Sequence, residues 1–208
     1  MITKPKFKIC RRLGPGVYDK CQTAKFSASS GKFASPGASG AGRRPKAMSE
    51  YGTQLIEKQK VRFSYGITER QLSNYVKKAT HLKGAGTAEK FYEDLESRLD
   101  NVIYRMRLAP TRRAARQMVS HGHFIVNNHK VTVPSYEVKV GDILKIREGS
   151  KSSRLFEGLV QKNKENNDYV MPDWLTFDLA KMEGSIKAKP KRTETFIDLN
   201  AVLEFYSR

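Results

Sequence analysis

The segment 98–127, RLDNVIYRMRLAPTRRAARQMVSHGHFIVN, constrains the fold more than any other part of the chain, because it reads as two short helices followed by a strand. If Thr111 caps the second helix, a rotation of about 100° per residue sorts its side chains into two arcs. Four apolar residues share one arc: Ala114, Ala115, Met118 and Val119. Polar and cationic residues share the other: Arg112, Arg113, Arg116, Gln117 and Ser120. With no acid between Asp100 and Glu137, this helix is predicted to bury one face and to present the other to a polyanion.

The charge of the whole chain also favours a polyanionic partner. Its 208 residues carry 39 Lys and Arg against 21 Asp and Glu, a formal net charge of +18. Nucleic acid is a more economical partner than an anionic membrane, because no stretch approaches the length of an apolar span. The start, MITKPKFKIC, lacks the apolar region of a signal peptide, which favours the cytoplasm. The acid-poor, Ser-rich residues 1–50 are also typical of organelle transit peptides, so that alternative stays open.

Side chains that carry catalysis or bind metals are sparse. Cys10 and Cys21 are the only cysteines and no histidine precedes His81, so no zinc site of four ligands can form locally. Two free thiols are expected in a reducing compartment, and a disulfide, which is uncommon in the cytosol, is the alternative. The sequence has no phosphate-binding Gly-Lys-Ser loop and no nucleophile elbow. His121 and His123, two residues apart, suit RNA contact or the surface better than a metal site. We therefore expect no enzyme, no metal and no cofactor.

Asp100 is an acidic residue among arginines, and two interpretations of its role are open. One is a catalytic acid. Its place at the start of a predicted helix favours instead a residue that caps the helix or orients Arg98 or Arg105.

Residues 1–48 are predicted to be an extended basic segment. The run SASSGKFASPGASGAGRRPK is rich in Gly, Ser and Pro, which argues against an independent helix or sheet. Its aromatic residues can stack on bases or pack on a domain surface, and its cations can reach phosphates. The aromatic residues are Phe7, Tyr18, Phe26 and Phe33, and the cations are Arg11, Arg12, Arg43, Arg44 and Lys46. A solvated flexible linker is the alternative.

Residues 49–97 are predicted to be a helical domain. Ser49 caps a first helix, Thr68 and Gln71 form a capping box for a second, and Thr87 starts a third. The predicted ends lie at Gly66 and near Ser97.

Residues 98–148 are predicted to form a small module of two helices and a β-hairpin. After Gly122 the apolar period changes to that of a strand, and the pair Asn127-Asn128 tolerates the left-handed conformation of a hairpin turn before the strand KVTV. Residues 149–208 are expected to pack back on the helical domain and complete it, with Trp174 and Leu175 in a core or seam. Their end, DLNAVLEFYSR, reads as a short helix or a strand. The predicted class is α+β, an extended basic tail and a helical domain with the module inserted.

Several stretches resemble the S-four family of small-subunit ribosomal proteins, of the bacterial type. The resemblance is close over 51–146, in EKQKVRFSYGITERQ, LESRLDNVIYRM, TRRAARQMVSHG and GDILKIRE, and it returns in KMEG and EFYSR. The part from RLDN to VN is similar to the RNA-binding module named after that family, which also occurs in pseudouridine synthases, a bacterial heat-shock RNA-binding protein and some tyrosyl-tRNA synthetases. The flanking helices carry the resemblance to the ribosomal protein itself.

The resemblance implies a non-enzymatic component of the small ribosomal subunit in the cytoplasm. Such a protein is a primary binder of ribosomal RNA that nucleates assembly, contacts small-subunit protein five and affects translational accuracy; some relatives also repress their own messenger RNA. By position, Arg43, Arg44 and Lys46 match a basic cluster near the channel by which messenger RNA enters. The family's PGQHG is PGASG here, at 36–40, and the chain matches the zinc-free type rather than the type with four N-terminal cysteines.

The resulting hypothesis assigns RNA contacts to named side chains. Arg98, Arg112, Arg113 and Arg116 are expected to pair with phosphates, while Gln117, Ser120 and His121 add hydrogen bonds to the RNA backbone or bases. Further contacts are assigned to Arg11, Arg12, Lys77, Lys78 and Lys83. Two alternatives stay open: an RNA-modifying enzyme that uses the module as an accessory, and a free-standing RNA chaperone or translational repressor.

Overall fold

The computed structural model describes residues 5–31, 48–81, 86–153, 156, 171–178, 180–192 and 196–207. The chain divides into two compact units: Met1–His81 with Glu194–Arg208, and Leu82–Thr193. Helices and an antiparallel sheet occur in the described ranges, so the predicted α+β class is confirmed. In the same ranges, no helix has the length and apolar character needed to cross a membrane.

Residues 5–31 are folded rather than extended. Helices α1 (Lys6–Leu13) and α2 (Ala24–Gly31) are joined by two short 3₁₀ helices, Pro15–Val17 and Asp19–Gln22. Their buried side chains form one apolar cluster, made of Ile9, Cys10, Leu13, Val17, Cys21 and Phe26, with Ile56 and Phe63 packed against it. The predicted extended conformation is therefore wrong for this stretch, because apolar residues from elsewhere in the unit complete a pattern that is weak by itself. Residues 32–47 lie outside the described part of the chain.

Cys10 and Cys21 form a disulfide, so the expectation of two free thiols is also wrong. Each cysteine is 1% exposed and lies inside the apolar cluster. The cluster brings together two thiols that stand 11 residues apart, which their spacing alone did not indicate.

Helices α3 (Glu50–Tyr65) and α4 (Glu69–His81) begin where the capping residues predicted, and α3 also ends where predicted. The Ser49 hydroxyl accepts the Gly52 N–H at 3.2 Å, and Gly66 ends α3 in the left-handed conformation with φ of 63°. For α4, the Thr68 N–H donates to the Gln71 side chain at 3.2 Å, and the Thr68 hydroxyl accepts the Gln71 N–H at 3.3 Å. This reciprocal pair is the predicted capping box.

The second unit starts with three helices: α5 (Thr87–Glu96), α6 (Leu99–Arg105) and α7 (Arg112–Ser120). α5 ends at Ser97, as predicted, and Arg98 adopts an extended conformation before α6 begins. Because only Ser97 and Arg98 separate α5 from α6, the side chains at the end of α5 and the start of α6 lie close together.

The strands of the second unit form an antiparallel sheet in the order β2–β1–β3–β5–β4. They are β1 (Phe124–Val126), β2 (His129–Lys130), β3 (Ile143–Ile146), β4 (Leu175–Asp178) and β5 (Glu183–Ile186), and the short helix α8 (Glu148–Lys151) follows β3. Asn127 and Asn128 take φ values of 48° and 68°, which confirms the predicted hairpin turn. The strand after the turn is shorter than the predicted KVTV, since pairing with β1 stops at Lys130.

The segment 149–208 does not pack as one piece on the helical domain, which corrects that expectation. β5 pairs with β3 from Ile143↔Ser185 to Lys145↔Glu183, so the strands of this segment extend the sheet of the module. Helix α9 (Leu199–Ser207) instead packs on α3 in the first unit. The expectation failed because β3 pairs with a strand that lies far along the chain, and a local sequence pattern does not indicate such long-range pairing.

A polar junction fixes α9 in the first unit. The Tyr206 hydroxyl donates to the Glu69 carboxylate at 2.6 Å, and the Lys58 ammonium binds the same oxygen at 2.9 Å. Burial raises the pKa of Tyr206, and its bond to Glu69 raises it further. For Glu69 burial alone would raise the pKa, but the bonds from Tyr206 and Lys58 outweigh it and leave the pKa lowered. A short helix and a strand were the two structures predicted for the C-terminal end, and the structure shows the helix.

The core of the second unit lies between its helices and its sheet. Val119 of α7, Phe124 of β1 and Leu144 of β3 are each at most 1% exposed within this core. Trp174 and Leu175 belong to the same cluster, which confirms the prediction that they lie in a core. The hairpin and β3 therefore support α7 from behind.

Candidate nucleic-acid interface

Helix α7 is amphipathic in the way the sequence predicted. The Thr111 hydroxyl accepts the Ala114 N–H at 3.1 Å and caps the helix. Ala115, Met118 and Val119 are buried on the inner face. Arg113, Gln117 and Ser120 are exposed on the outer face. A rigid helix thus carries a cation and two hydrogen-bonding side chains on a solvent-facing surface.

Arg112 and Arg116 lie at the margin of that surface and are held by α6. Arg116 donates from Nε at 2.8 Å and from Nη2 at 2.6 Å to Oδ2 of Asp100. Arg112 donates from Nε to the Asn101 side chain at 2.7 Å, and its guanidinium lies 4.5 Å from the centroid of the Tyr104 ring. The Arg112 side chain is 18% exposed and the Arg116 side chain is 25% exposed, so solvent still reaches both.

Arg98 was predicted to contact phosphate, and its burial corrects that assignment. The residue is 2% exposed, and its Nε and Nη2 each donate to Asp100 at 3.1 Å. The sequence predicted that Arg98 lies next to the start of a helix, but no local pattern indicated that the start of this helix is buried in the core. Arg98 is a buried partner of Asp100 rather than a member of the exposed cationic set.

Two buried carboxylates therefore order the arginines of this region. Asp100 binds Arg98, as one of the two readings of that residue predicted, and it also binds Arg116. Arg105 pairs instead with Glu96, donating from Nε at 2.9 Å and from Nη2 at 3.0 Å. Glu96 and Asp100 are 1% and 2% exposed, so both carboxylates are shielded from water.

His121 and His123 follow α7, with ring centroids 6.2 Å apart. His121 is exposed, whereas Nδ1 of His123 lies 2.9 Å from the Ser150 hydroxyl. Burial lowers the pKa of His123, and the charges of His121 and Arg147 lower it further. Within the described ranges no three potential metal ligands of the His, Cys, Asp or Glu type cluster together.

The lowered pKa of His123 predicts that the stability of the fold depends on pH. Because the unfolded chain takes up this proton more readily than the folded one, the free energy of unfolding is expected to fall as pH falls below 6.5. Urea unfolding at neutral and at acidic pH measures the fall, which should be smaller in His123→Gln. The same change at His129, exposed on the hairpin, serves as the control. An equal pH dependence in natural protein and His123→Gln would contradict the assignment.

A second cationic surface, which we call the α4 stripe, lies in the first unit. Leu72, Val76 and Ala79 are buried on one side of α4. The exposed side carries Arg70, Asn74, Lys77, Lys78 and His81. Lys77 and Lys78 were predicted as RNA contacts, while the other three members were missed. Spacings of four, seven, eight and eleven residues from Arg70 place all five members on one helical face.

Of the remaining residues predicted to contact RNA, the structure describes some and not others. Arg11 and Arg12 are exposed at the end of α1. Lys83, Arg43, Arg44 and Lys46 lie outside the described residues, as does the segment 36–40.

Two parts of the chain match two known protein families, and the matches meet at the start of the module. Residues 97–144 match the S4 domain, so the unit built on α6, α7 and the hairpin belongs to the class of S4-domain proteins. Residues 1–96 match the Ribosomal protein S4/S9 N-terminal domain.

Whole-chain relatives agree with both matches. Small ribosomal subunit protein uS4 of Syntrophomonas wolfei is 44% identical over 205 residues, which cover 96% of this chain and 95% of the relative. The proteins of the same name from Chromobacterium violaceum and Acetivibrio thermocellus are each 43% identical, over 98% and 97% of this chain and 97% and 96% of the relatives. The chain belongs to the uS4 family of small ribosomal subunit proteins.

Proposed function

We propose that this chain is a structural component of the small ribosomal subunit and binds the ribosomal RNA of that subunit. The observation that carries the proposal is α7, which is locked into a core by its apolar face and exposes Arg113, Gln117 and Ser120 on the other. The name shared by relatives that match nearly the whole chain supports the same conclusion. The protein is not an enzyme, and its place is the cytoplasmic ribosome, in keeping with a family of ribosomal components.

The chemistry of the interface suits folded RNA. Double-stranded RNA hides its base edges in a deep, narrow groove, so proteins recognise it through phosphates, 2′-hydroxyls and overall shape. Arg112, Arg113 and Arg116 supply guanidinium groups for phosphates, and Gln117, Ser120 and His121 supply hydrogen bonds. The α4 stripe supplies a second set of cations, with Arg11 and Arg12 as a third.

The finer proposal concerns the place of the protein in the subunit. It binds ribosomal RNA early and nucleates assembly, contacts small-subunit protein five, and influences translational accuracy near the channel by which messenger RNA enters. Arg43, Arg44 and Lys46 are the residues assigned to that channel. The support for this part is the resemblance of the sequence to the family.

The test is a hydroxyl-radical footprint of the purified full chain on a transcript of the small-subunit ribosomal RNA. Focused protection at one multi-helix junction is expected. If about five phosphates are contacted, the log of the binding constant should fall with the log of salt concentration with a slope on the order of −3 to −5. Scattered protection with a flat salt response would overturn the proposal.

The amount of protein in purified subunits separates the ribosomal role from the free-standing alternatives. A structural component is expected in stoichiometric amount after a high-salt wash. An RNA chaperone or an accessory-module enzyme would be substoichiometric or would wash away.

A further inference from the structure

We infer that Asp100 and Asn101 are positioning residues, which hold the guanidinium groups of Arg116 and Arg112 in place for RNA phosphates. The inference rests on the proposed RNA-binding function. It assigns a binding role to two side chains, one acidic and one neutral, that a count of positive charge would treat as unfavourable or irrelevant.

Asp100 acts on Arg116 through two hydrogen bonds. Its Oδ2 accepts from Arg116 Nε and Nη2 at 2.8 and 2.6 Å, which orients one edge of the guanidinium plane. Asp100 is itself fixed, because it is 2% exposed and bound by the buried Arg98. The carboxylate therefore has little freedom to follow a moving Arg116, and α6 sets where that guanidinium lies on α7.

Asn101 acts on Arg112 in the same way. Its side-chain oxygen accepts from Arg112 Nε at 2.7 Å, while its amide donates to the Glu96 backbone carbonyl at 3.0 Å. Asn101 is 1% exposed, so this orientation is also held by the core. The Tyr104 ring below the guanidinium removes a further direction of movement from Arg112.

Positioning matters because a long arginine side chain loses rotamer freedom when it is immobilised on a ligand. That loss costs about 0.5–1.5 kcal/mol per side chain at an interface, equivalent to about twofold to tenfold in affinity. In this protein folding already restricts both arginines before RNA arrives. Although Asp100 removes a positive charge from the local total, we expect it to strengthen binding.

Net charge and positioning predict opposite results for one pair of variants. Arg98→Met keeps Asp100 and lowers the net charge from +18 by one. Arg98→Met combined with Asp100→Leu restores the natural net charge but removes the carboxylate that holds Arg116. Replacing both buried charges together avoids leaving either one buried alone, which is the main threat to folding.

The experiment measures binding of the full chain to the small-subunit RNA transcript over a range of salt concentrations. In the single variant Asp100 stays buried and keeps its two bonds from Arg116, so we expect this variant, shown to be folded by circular dichroism, to bind within about twofold of natural protein. We expect the double variant to bind about threefold to tenfold more weakly. The salt slope should stay the same in the double variant, because Arg116 still reaches phosphate but must be ordered on binding. A double variant that binds as tightly as the natural protein would overturn the inference.

A neutral variant tests the Arg112 half without any change of charge. Asn101→Ala is expected to weaken binding about threefold, whereas Asn200→Ala, at an exposed position of α9, should have no effect. The NMR signal of Arg112 Nε–H, protected by its bond to Asn101 in the natural protein, should become exchange-broadened in Asn101→Ala while the spectrum of the core is retained. If natural protein itself fails to bind the transcript, the proposed function fails; if it binds and these variants bind equally well, the positioning inference alone fails.

Discussion

Changing Lys77, Lys78 and Arg113 to glutamate together is expected to weaken binding to small-subunit ribosomal RNA by about 100-fold or more, because charge-assisted hydrogen bonds are worth about 1.5–3 kcal/mol each and every 1.4 kcal/mol is tenfold. All three side chains are exposed, two on the α4 stripe and one on α7. The fold should be retained, since surface substitutions of this kind change stability little. Filter binding or fluorescence anisotropy with the transcript measures the loss, and circular dichroism checks the fold.

Arg112 is left out of this variant for a physical reason. Its Nη2 lies 3.9 Å from the buried Glu96 carboxylate, so a glutamate at that position would place two acids together. Its effect on RNA binding could then not be separated from its effect on folding.

The matched control changes Lys181, Lys187 and Lys191 to glutamate. These residues are exposed, and the control alters the net charge by the same amount. If RNA simply responds to total charge, both variants lose the same affinity. We expect the control to keep most of it, and an equal loss in the two variants would refute the assignment of the two cationic surfaces.

Replacing Asp100 alone by alanine is expected to lower the free energy of unfolding by about 3–5 kcal/mol, the usual cost of removing one partner of a buried ion pair. Arg98, at 2% exposure, would lose the carboxylate that both its Nε and Nη2 bind. Arg116 would lose its bonds to the same group. Chemical denaturation followed by circular dichroism measures the change.

Asp173→Ala is the control for this prediction, because Asp173 is an exposed aspartate of the same unit. We expect its effect to stay within about 0.5 kcal/mol, as for most surface positions. An Asp100→Ala variant that unfolds no earlier than the control would show that the buried pair does not stabilise the fold.

The amphipathic character of α7 could be predicted because it depends on local periodicity. Thr111 as the cap and Ala115, Met118 and Val119 as the buried face follow from sequence spacing, and the structure confirms them. The caps of α3 and α4 were predictable for the same reason, since each depends on residues within one helical turn.

The burial of Arg98 could not be predicted, because it depends on packing around the junction of α5 and α6. A sequence window shows an arginine and an aspartate two residues apart, and that pattern is as typical of a surface as of a core. The pairing of β5 with β3 and the disulfide between Cys10 and Cys21 were missed for a related reason, since both join residues that only tertiary structure brings together. The α4 stripe could have been predicted from the sequence, because its members follow helical spacing.

The long-range pairings in both units have a consequence for how the chain is made. β3 ends at Ile146 but its partner β5 begins at Glu183, and α3 ends at Tyr65 but its partner α9 begins at Leu199. During translation from the N-terminus, each early element waits for a segment that emerges late, and closing such long loops slows folding. A nascent chain interrupted before Glu183 leaves the backbone of β3 open on one side, which is a template for aggregation with other chains.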